Sequence, residues 1–116
     1  LIGQNSDQRI IVSSFNLASL VYAHQLQPEF PLIYNLELNQ TPLEIRQLLK
    51  THEFLHGFCL PIESLQQEVV ELLRESTKFI GVYTCNSDVE INTALQFGVD
   101  ILISDLPQKA LSMRDP

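Results

Sequence analysis

Polar side chains follow two apolar runs in the second half of the chain, where they could bind a small molecule. Residues 79–84 predict a strand that ends in Cys85-Asn86-Ser87, and residues 99–104 predict a second strand that ends at Asp105. A helical segment closed by Gly98 separates them. Such β-α-β units build parallel sheets with ligand sites at the carboxyl ends of the strands. We therefore expect the functional residues of the chain at these ends.

The nucleophilic and metal-binding residue types do not form a recognisable catalytic motif. Ser13 and Ser14 lie in no Gly-x-Ser-x-Gly elbow, so an activated serine is not predicted. His24, His52 and His56 have no carboxylate or cysteine partner at metal-binding spacing. The four glycines form no phosphate-binding loop, which argues against nucleotide binding.

Composition indicates one globular domain. The 116 residues are 45% hydrophobic and 18% charged, which is enough for a core. Fourteen acidic residues against seven Lys and Arg give a net charge of −7, which argues against a nucleic-acid partner. No run approaches the ~20 apolar residues of a membrane span. The polar residues 1–9 do not resemble a signal peptide, and a start at Leu1 does not resemble a natural protein start.

The two cysteines, Cys59 and Cys85, have neither CxxC spacing nor a Cys/His cluster around them. Free, partly buried thiols in a reducing compartment are the favoured interpretation over a disulfide or redox pair. We therefore expect a cytoplasmic protein.

Strands and helices alternate along the rest of the chain. Residues 9–15 and 31–36 predict strands, and residues 57–60 predict either a short strand or an extended loop. Asn16 is placed to cap the first helix. Three further helix starts show the spacing of a capping box, namely Thr41 with Glu44, Ser64 with Gln67, and Ser87 with Glu90.

This serial array predicts an α/β fold. Its size fits a partial TIM (β/α)8 barrel, about the last four β-α units, because a whole barrel takes ~250 residues. A small four-stranded doubly wound sheet is the alternative. A response-regulator-like receiver would need a carboxylate cluster after the first strand, and residues 13–15 are Ser-Ser-Phe instead.

Three stretches of the chain resemble a known family. They are Val-Ser-Ser-Phe-Asn at 12–16, Val-Tyr-Thr-Cys-Asn at 82–86, and Gly98-Val99-Asp100 followed by Ile-Ser-Asp-Leu-Pro at 103–107. In order and spacing they resemble the carboxyl-terminal half of the glycerophosphodiester phosphodiesterases. Tyr83 stands where that family often has Trp, and Ser104 where Thr is usual.

The resemblance implies metal-assisted hydrolysis of a glycerophosphodiester to glycerol 3-phosphate and an alcohol, with Mg or Ca as the divalent cation. It also implies that the catalytic His pair and the metal carboxylates are not in this chain, because the HRG, ExD and ExK motifs of the family are absent from it. We therefore expect residues 1–116 to be a single unit, the C-terminal half of such a barrel. A cropped domain, a cleavage product and a split gene are all compatible with this, and we expect the unit alone to be inactive.

Three residues are candidates for contact with the small-molecule substrate. Tyr83 could pack its ring on glycerol and reach a phosphate oxygen with its hydroxyl. Phe15 could line the pocket or belong to the core. Asn86 could bind a ligand, although stabilising its own turn is favoured. For Asp105 a helix cap is favoured over a site role.

A non-catalytic β-α interaction module, or a degenerate barrel piece, remains the alternative function. A half barrel exposes two sheet edges and an apolar inner face. The expected partner for these surfaces is the missing half barrel or a second copy of the chain.

Overall fold

The computed structural model describes residues 11–38 and 40–114, except for the side chains of residues 107 and 114. In this part of the chain, five strands alternate with five α-helices. They are β1 (Val12–Ser14), α1 (Leu17–Leu26), β2 (Leu32–Asn35), α2 (Pro42–Thr51), β3 (Gly57–Pro61), α3 (Gln67–Glu75), β4 (Phe79–Tyr83), α4 (Asp88–Phe97), β5 (Ile101–Leu102) and α5 (Pro107–Arg114). A single 3-10 turn, Ile62–Ser64, lies between β3 and α3.

The five strands form one parallel sheet in the order β1-β2-β3-β4-β5. Each strand pairs with its sequence neighbour, as in the pairs Ser13 with Ile33 and Gly81 with Ile101. Because parallel crossovers are right-handed, this order places all the connecting helices on one face of the sheet. A doubly wound sheet has helices on both faces, so that alternative is wrong and the barrel-like prediction holds.

The segment at 57–60, which the sequence left open between strand and loop, is the strand β3. All five of its residues are buried, and it pairs with β2 on one side and β4 on the other. The described array therefore contains five β-α units rather than about four. The first predicted strand is shorter than expected, and its residues 9 and 10 lie outside the described range.

Two of the three predicted capping boxes are confirmed. In α2, Glu44 N donates to Thr41 Oγ1 (3.2 Å) and Thr41 N donates to Glu44 Oε1 (2.9 Å). The Ser87–Glu90 box starts α4 in the same way. The one predicted at Ser64 is wrong, because the chain leaves β3 through the 3-10 turn and α3 starts only at Gln67 without a side-chain cap.

Three other local predictions, for Asn16, Gly98 and the two cysteines, are also confirmed. Asn16 Oδ1 accepts a hydrogen bond from Ser19 N (3.2 Å) at the start of α1. Gly98 ends α4 with a left-handed φ of 69°. Both cysteines are free and buried. None of the described helices is long and apolar enough to cross a membrane.

The two faces of the sheet differ. One packs against the helices and forms the core, with Leu32, Phe58, Leu60, Ile80 and Val82 among its buried residues. We call the opposite side the inner face. By strand alternation and register it carries Ser13, Ile33, Gly57, Cys59, Phe79, Gly81, Tyr83 and Ile101.

The inner face is tightly curved along the pair of strands β3 and β4. A Cβ atom placed on Gly57 would lie 2.6 Å from Phe79 Cβ, and one on Gly81 would lie 3.1 Å from Cys59 Sγ. Neighbouring strands lie ~4.7–4.9 Å apart, and Cβ atoms that pointed straight out of a flat sheet would keep about that separation. Their convergence indicates that the sheet is concave on this side, as the wall of a barrel is.

Candidate functional site

Tyr83 is the last residue of β4 and lies at the carboxyl rim of the inner face. Its hydroxyl donates a hydrogen bond to the Leu36 carbonyl oxygen at 2.5 Å, which links the ends of β4 and β2. Burial raises the pKa of this hydroxyl, and the neighbouring Cys59, Glu37 and Glu63 raise it further. The group therefore stays protonated and remains a donor near neutral pH.

Phe15 directly follows β1 and reaches across the rim to Tyr83. The two rings meet edge to face, with centroids 5.8 Å apart and planes at 88°. Phe15 is nevertheless 54% exposed, so one side of the pair is open to solvent. The structure thus brings two of the three predicted site residues together as an aromatic wall, and Phe15 is not a core residue.

Asn86 joins the loop after β4 to the loop after β5. Its Oδ1 accepts hydrogen bonds from Asp105 N (2.8 Å) and Ser104 Oγ (3.3 Å), and its Nδ2 donates to Asp105 Oδ2 (3.0 Å). The prediction that the Asn86 side chain serves its own turn is therefore wrong, because its partners come from another loop. The backbone N–H of Asn86 is bound separately, by Glu90 Oε1 at 3.0 Å.

Asp105 takes part in this link rather than capping α5. The helix begins at Pro107, so the cap position belongs to Leu106, and the Asp105 carboxylate accepts the Asn86 amide. The predicted cap is wrong because Asp105 lies one residue before the cap position. Ser104 supports the same corner, where its Oγ accepts from Leu106 N at 2.9 Å.

Carboxylates surround the rim. Glu37 and Glu63 follow β2 and β3 and lie close enough to raise the pKa of Tyr83. Lys109 lies near the rim as well, but it is paired with Asp88 at 2.7 Å. A phosphate group here would meet negative charge, so its binding requires an added cation or basic groups from elsewhere.

The described residues do not supply a cation site by themselves. Within residues 11–38 and 40–114, no three His, Cys, Asp or Glu side chains converge as metal ligands would. The residues that the structure describes therefore do not fit a divalent cation on their own.

The three histidines lie at the other end of the sheet. His56 immediately precedes β3, and its Nδ1 accepts from Leu32 N at 3.1 Å. His24 stacks on Phe54, with ring centroids 4.6 Å apart, and His52 meets the same ring edge to face. These contacts place all three histidines away from the carboxyl rim that carries Tyr83.

Sequence reasoning missed two parts of the rim. One is the Leu36 carbonyl, which no side-chain pattern could reveal. The other is the acidic pair Glu37 and Glu63. Glu37 follows a predicted strand, so its signal was available, whereas Glu63 follows the segment 57–60 that the sequence left open between strand and loop.

Comparison with known proteins identifies the family. Residues 2–109 match the model of the glycerophosphoryl diester phosphodiesterase family. The chain is 29% identical over 109 residues to a glycerophosphodiester phosphodiesterase of Bacillus subtilis (strain 168), covering 92% of this chain and 37% of that protein. It is also 29% identical to one of Bacillus altitudinis, covering 94% of this chain and 44% of that protein.

Solved structures agree with the fold. The structure of an Oleispira antarctica phosphodiesterase in complex with the product sn-glycerol-3-phosphate superposes with a TM-score of 0.83 at 25% identity, covering 97% of this chain and 44% of that one. A glycerophosphodiester phosphodiesterase of Thermotoga maritima gives a TM-score of 0.71 at 17% identity, covering 90% and 46%.

These coverages show how much of each relative this chain resembles. The chain spans less than half the length of the relatives it matches, and the matching part is an open β-α array with the geometry of a barrel wall. The three motif stretches and the five sequential strands all fall within residues 2–109. The chain belongs to the glycerophosphoryl diester phosphodiesterase family.

Proposed function

We propose that residues 1–116 are the carboxyl-terminal half of a barrel that hydrolyses glycerophosphodiesters to glycerol 3-phosphate and an alcohol. The observation that carries this proposal is the aromatic wall of Tyr83 and Phe15 at the carboxyl rim, inside a family match that covers nearly the whole chain. The Oleispira antarctica phosphodiesterase, which holds sn-glycerol-3-phosphate, supports the class of substrate.

The aromatic wall would bind the carbon skeleton of the glycerol moiety. The hydroxyl of Tyr83 is held by the Leu36 carbonyl, so the ring rather than the hydroxyl is the contacting group. Apolar rings bind the C–H faces of a polyol while its hydroxyls stay free to bond elsewhere. This modifies the expectation that the Tyr83 hydroxyl reaches a phosphate oxygen.

Asn86 would complete the contact. Its Nδ2 uses one N–H to hold Asp105 (3.0 Å), and a primary amide carries two such donors. The second N–H, at an exposed position on the rim, can donate to a substrate oxygen. Asn86 would then both fix the loop after β5 and bind the ligand.

The proton-transfer and charge-neutralising groups would come from outside this chain. Hydrolysis of a diester needs general acid and base groups and a means of stabilising charge on the phosphoryl oxygens. A divalent cation, Mg or Ca, would supply the latter in the complete enzyme, where its principal ligands belong to the other half. The share of this chain is to bind and orient the glycerol side.

The test is turnover of glycerophosphocholine. We expect none from the 116-residue chain with Mg²⁺ or Ca²⁺, and turnover by a complete barrel that contains it. In that barrel, Tyr83→Ala should raise KM more than it lowers kcat, whereas replacement of the exposed Gln96 of α4 by Ala should change neither. Clear turnover by the chain alone, or an unchanged KM in Tyr83→Ala, would refute the proposal.

A non-catalytic β-α module is the second candidate. The described rim carries Glu37 and Glu63 but lacks a three-ligand cation site. A complete barrel that binds glycerol 3-phosphate yet shows no turnover would support this candidate. For either function we propose the cytoplasm as the location, since both buried cysteines are free thiols.

A further inference from the structure

We propose that the substrate carries one acyl chain on its glycerol moiety, and that an exposed apolar stripe beside the aromatic wall binds this chain. The stripe consists of Phe15, Leu38 and Leu43. The inference rests on the proposed function, because it names the class of glycerophosphodiester that the same rim would take. The ligand is a single lysophospholipid molecule with a zwitterionic headgroup.

The stripe follows two neighbouring strands at the carboxyl rim. Phe15 directly follows β1, and both leucines belong to the connection from β2 into α2. Because β1 and β2 pair in the sheet, their carboxyl ends are adjacent. All three side chains are exposed, Phe15 by 54%, Leu38 by 62% and Leu43 by 63%. An apolar surface therefore leads from the ring that contacts Tyr83 to the start of α2.

Closure of a barrel does not account for the exposure of the two leucines. β2 already has β1 on one side and β3 on the other, so added strands would lie beside β1 and β5 and not beside this unit. Leu38 and Leu43 also lie beyond the carboxyl end of β2 and not on the inner face. A ligand at the rim accounts for both leucines.

A closed turn holds Leu38 at the surface. Gln40 N donates to the Glu37 carbonyl oxygen at 3.3 Å, and Glu37 N donates to Gln40 Oε1 at 2.9 Å. From the neighbouring loop, Ser64 Oγ donates to the Leu38 carbonyl oxygen at 3.4 Å. The backbone of Leu38 is thus fixed from two sides while its side chain stays exposed. A preformed contact of this kind loses little conformational freedom when a ligand binds.

The proposed position of the glycerol moiety leaves space for a chain. One side of Phe15 is open to solvent, so among the described residues the aromatic wall does not enclose the glycerol moiety. An acyl chain on the glycerol carbon farthest from the phosphate would continue over Phe15 to the two leucines. Each methylene group that the stripe buries would strengthen binding about fourfold.

Charge favours a single zwitterionic molecule over a membrane surface. Attachment to a bilayer relies on Lys and Arg beside the apolar residues. The described rim carries the carboxylates of Glu37, Glu63 and Asp105 instead. Its Lys109 is paired with Asp88 at 2.7 Å, and the chain has a net charge of −7. An anionic bilayer would be repelled, whereas a lysophospholipid with a choline headgroup has no net charge.

The reaction on this substrate is the same hydrolysis. The oxygen of water adds to phosphorus, the bond from phosphorus to the choline oxygen breaks, and a proton of the water passes to that oxygen. The products are an acylated glycerol phosphate and choline, and no further reactant is needed. The acyl ester stays intact, so the stripe binds the chain and takes no part in the bond changes.

The test is an NMR titration of the 116-residue chain with decanoyl lysophosphatidylcholine below its micelle concentration. We expect binding at least about tenfold tighter than that of glycerophosphocholine, with shifts at the three residues of the stripe. Leu38→Asn should weaken lysolipid binding about tenfold, because it removes apolar contact. Leu26→Asn, at a leucine of similar exposure (59%) at the far end of α1, is the matched control and should bind normally.

Urea unfolding first establishes that both variants fold like the unmodified chain, and Leu43→Asn repeats the test if Leu38→Asn does not. No detectable binding of the lysolipid, or equal weakening in Leu26→Asn, overturns the inference. Binding to phosphatidylcholine vesicles that Leu38→Asn abolishes also overturns it, because the stripe would then be a membrane contact.

Turnover by a complete barrel that contains the chain separates this inference from the proposed function. Hydrolysis of glycerophosphocholine but not of the lysolipid refutes this inference alone. Binding of the lysolipid at the stripe without hydrolysis of either compound refutes the proposed function and leaves the assigned ligand class standing.

Discussion

The side chain of Asn86 holds Asp105 at two points, with Nδ2 3.0 Å from the carboxylate and Oδ1 2.8 Å from the backbone N–H. The pair ties together two loops that the chain separates by an entire helix. Since both partners are exposed, we expect Asn86→Ala to lower the free energy of unfolding by about 1 kcal/mol. Asn86→Asp should cost more, because it sets a second carboxylate against Asp105.

Urea unfolding measures both effects. Asn92→Ala, on the exposed face of α4, is the control and should leave stability unchanged or slightly raised, as Ala is the better helix former. Equal stability of Asn86→Ala and the unmodified chain would show that the link contributes nothing.

The hydroxyl and the ring of Tyr83 make separate contributions. Tyr83→Phe removes the bond to the Leu36 carbonyl and keeps the contact with Phe15, so we expect a loss of about 1 kcal/mol. Tyr83→Ala also removes the aromatic pair and should cost about 2 kcal/mol or more. Thermal unfolding can resolve the two steps. Tyr22→Phe is the control, and a loss there as large as in Tyr83→Phe would contradict this account.

Stability should fall as the solution is acidified because of His56. Burial lowers the pKa of its imidazole in the folded chain, and the nearby Lys78 and His24 lower it further. The unfolded chain therefore takes up the proton first. The stability due to neutral His56 is present above pH 6.5 and is lost as pH falls through the lower folded pKa.

Urea unfolding between pH 7.5 and 5 tests this dependence. His56→Gln can still accept from Leu32 N but cannot be protonated, so it should flatten the slope. His52→Gln leaves the Leu32 bond intact and should keep the slope. A slope that is equal in both variants and in the unmodified chain would rule out His56 as its source.

Both thiols should resist modification while the chain is folded. Burial, and to a lesser degree the neighbouring Cys85, raises the pKa of Cys59 to about 11, and burial also raises the pKa of Cys85. Only the thiolate reacts, so labelling by a disulfide reagent at pH 8 should be slow until denaturant is added. Gln96→Cys, at an exposed position of α4, should add one fast-reacting thiol. Fast labelling of both native cysteines would contradict the burial described.

Gly57→Ala should be among the most damaging small substitutions in the chain. The added Cβ would meet Phe79 Cβ and the Phe79 carbonyl oxygen, each at 2.6 Å, and neither can move without shifting β4. We expect a loss of about 2–3 kcal/mol by thermal unfolding. Adding Phe79→Ala should not restore it, because the Cβ and the carbonyl remain. Recovery in that double variant would show that the ring, and not the backbone, limits the space.

Local features of the fold could be predicted from the sequence because their partners are a few residues apart. The capping boxes at Thr41 and Ser87 and the end of α4 at Gly98 belong to this class. The placement of Phe15 and Tyr83 at one rim also followed, since both end parallel strands. The box at Ser64 failed because Ser64 ends the 3-10 turn and its hydroxyl donates to the distant Leu38 carbonyl instead.

The contacts that shape the rim could not be predicted, because they depend on register. Tyr83 bonds to a carbonyl 47 residues away, and Asn86 bonds to a loop 19 residues away. The residue types do not reveal either partner. Every residue has a backbone carbonyl, and Asp105 could equally well have capped the following helix. Such pairings emerge only once the strands are aligned.

The sequential strand order also determines which strands open first in local unfolding. Every strand pairs only with its neighbours along the chain. The stability of the sheet is therefore approximately a sum of contributions from neighbouring strand pairs, as in repeat proteins. Strands β3 and β4 have five residues each and a neighbouring strand on both sides. Strands β1 and β5 have three and two residues and only one neighbouring strand each. Opening should therefore begin at the two ends and travel inward, so that the edge strands β1 and β5 are the ones most often released.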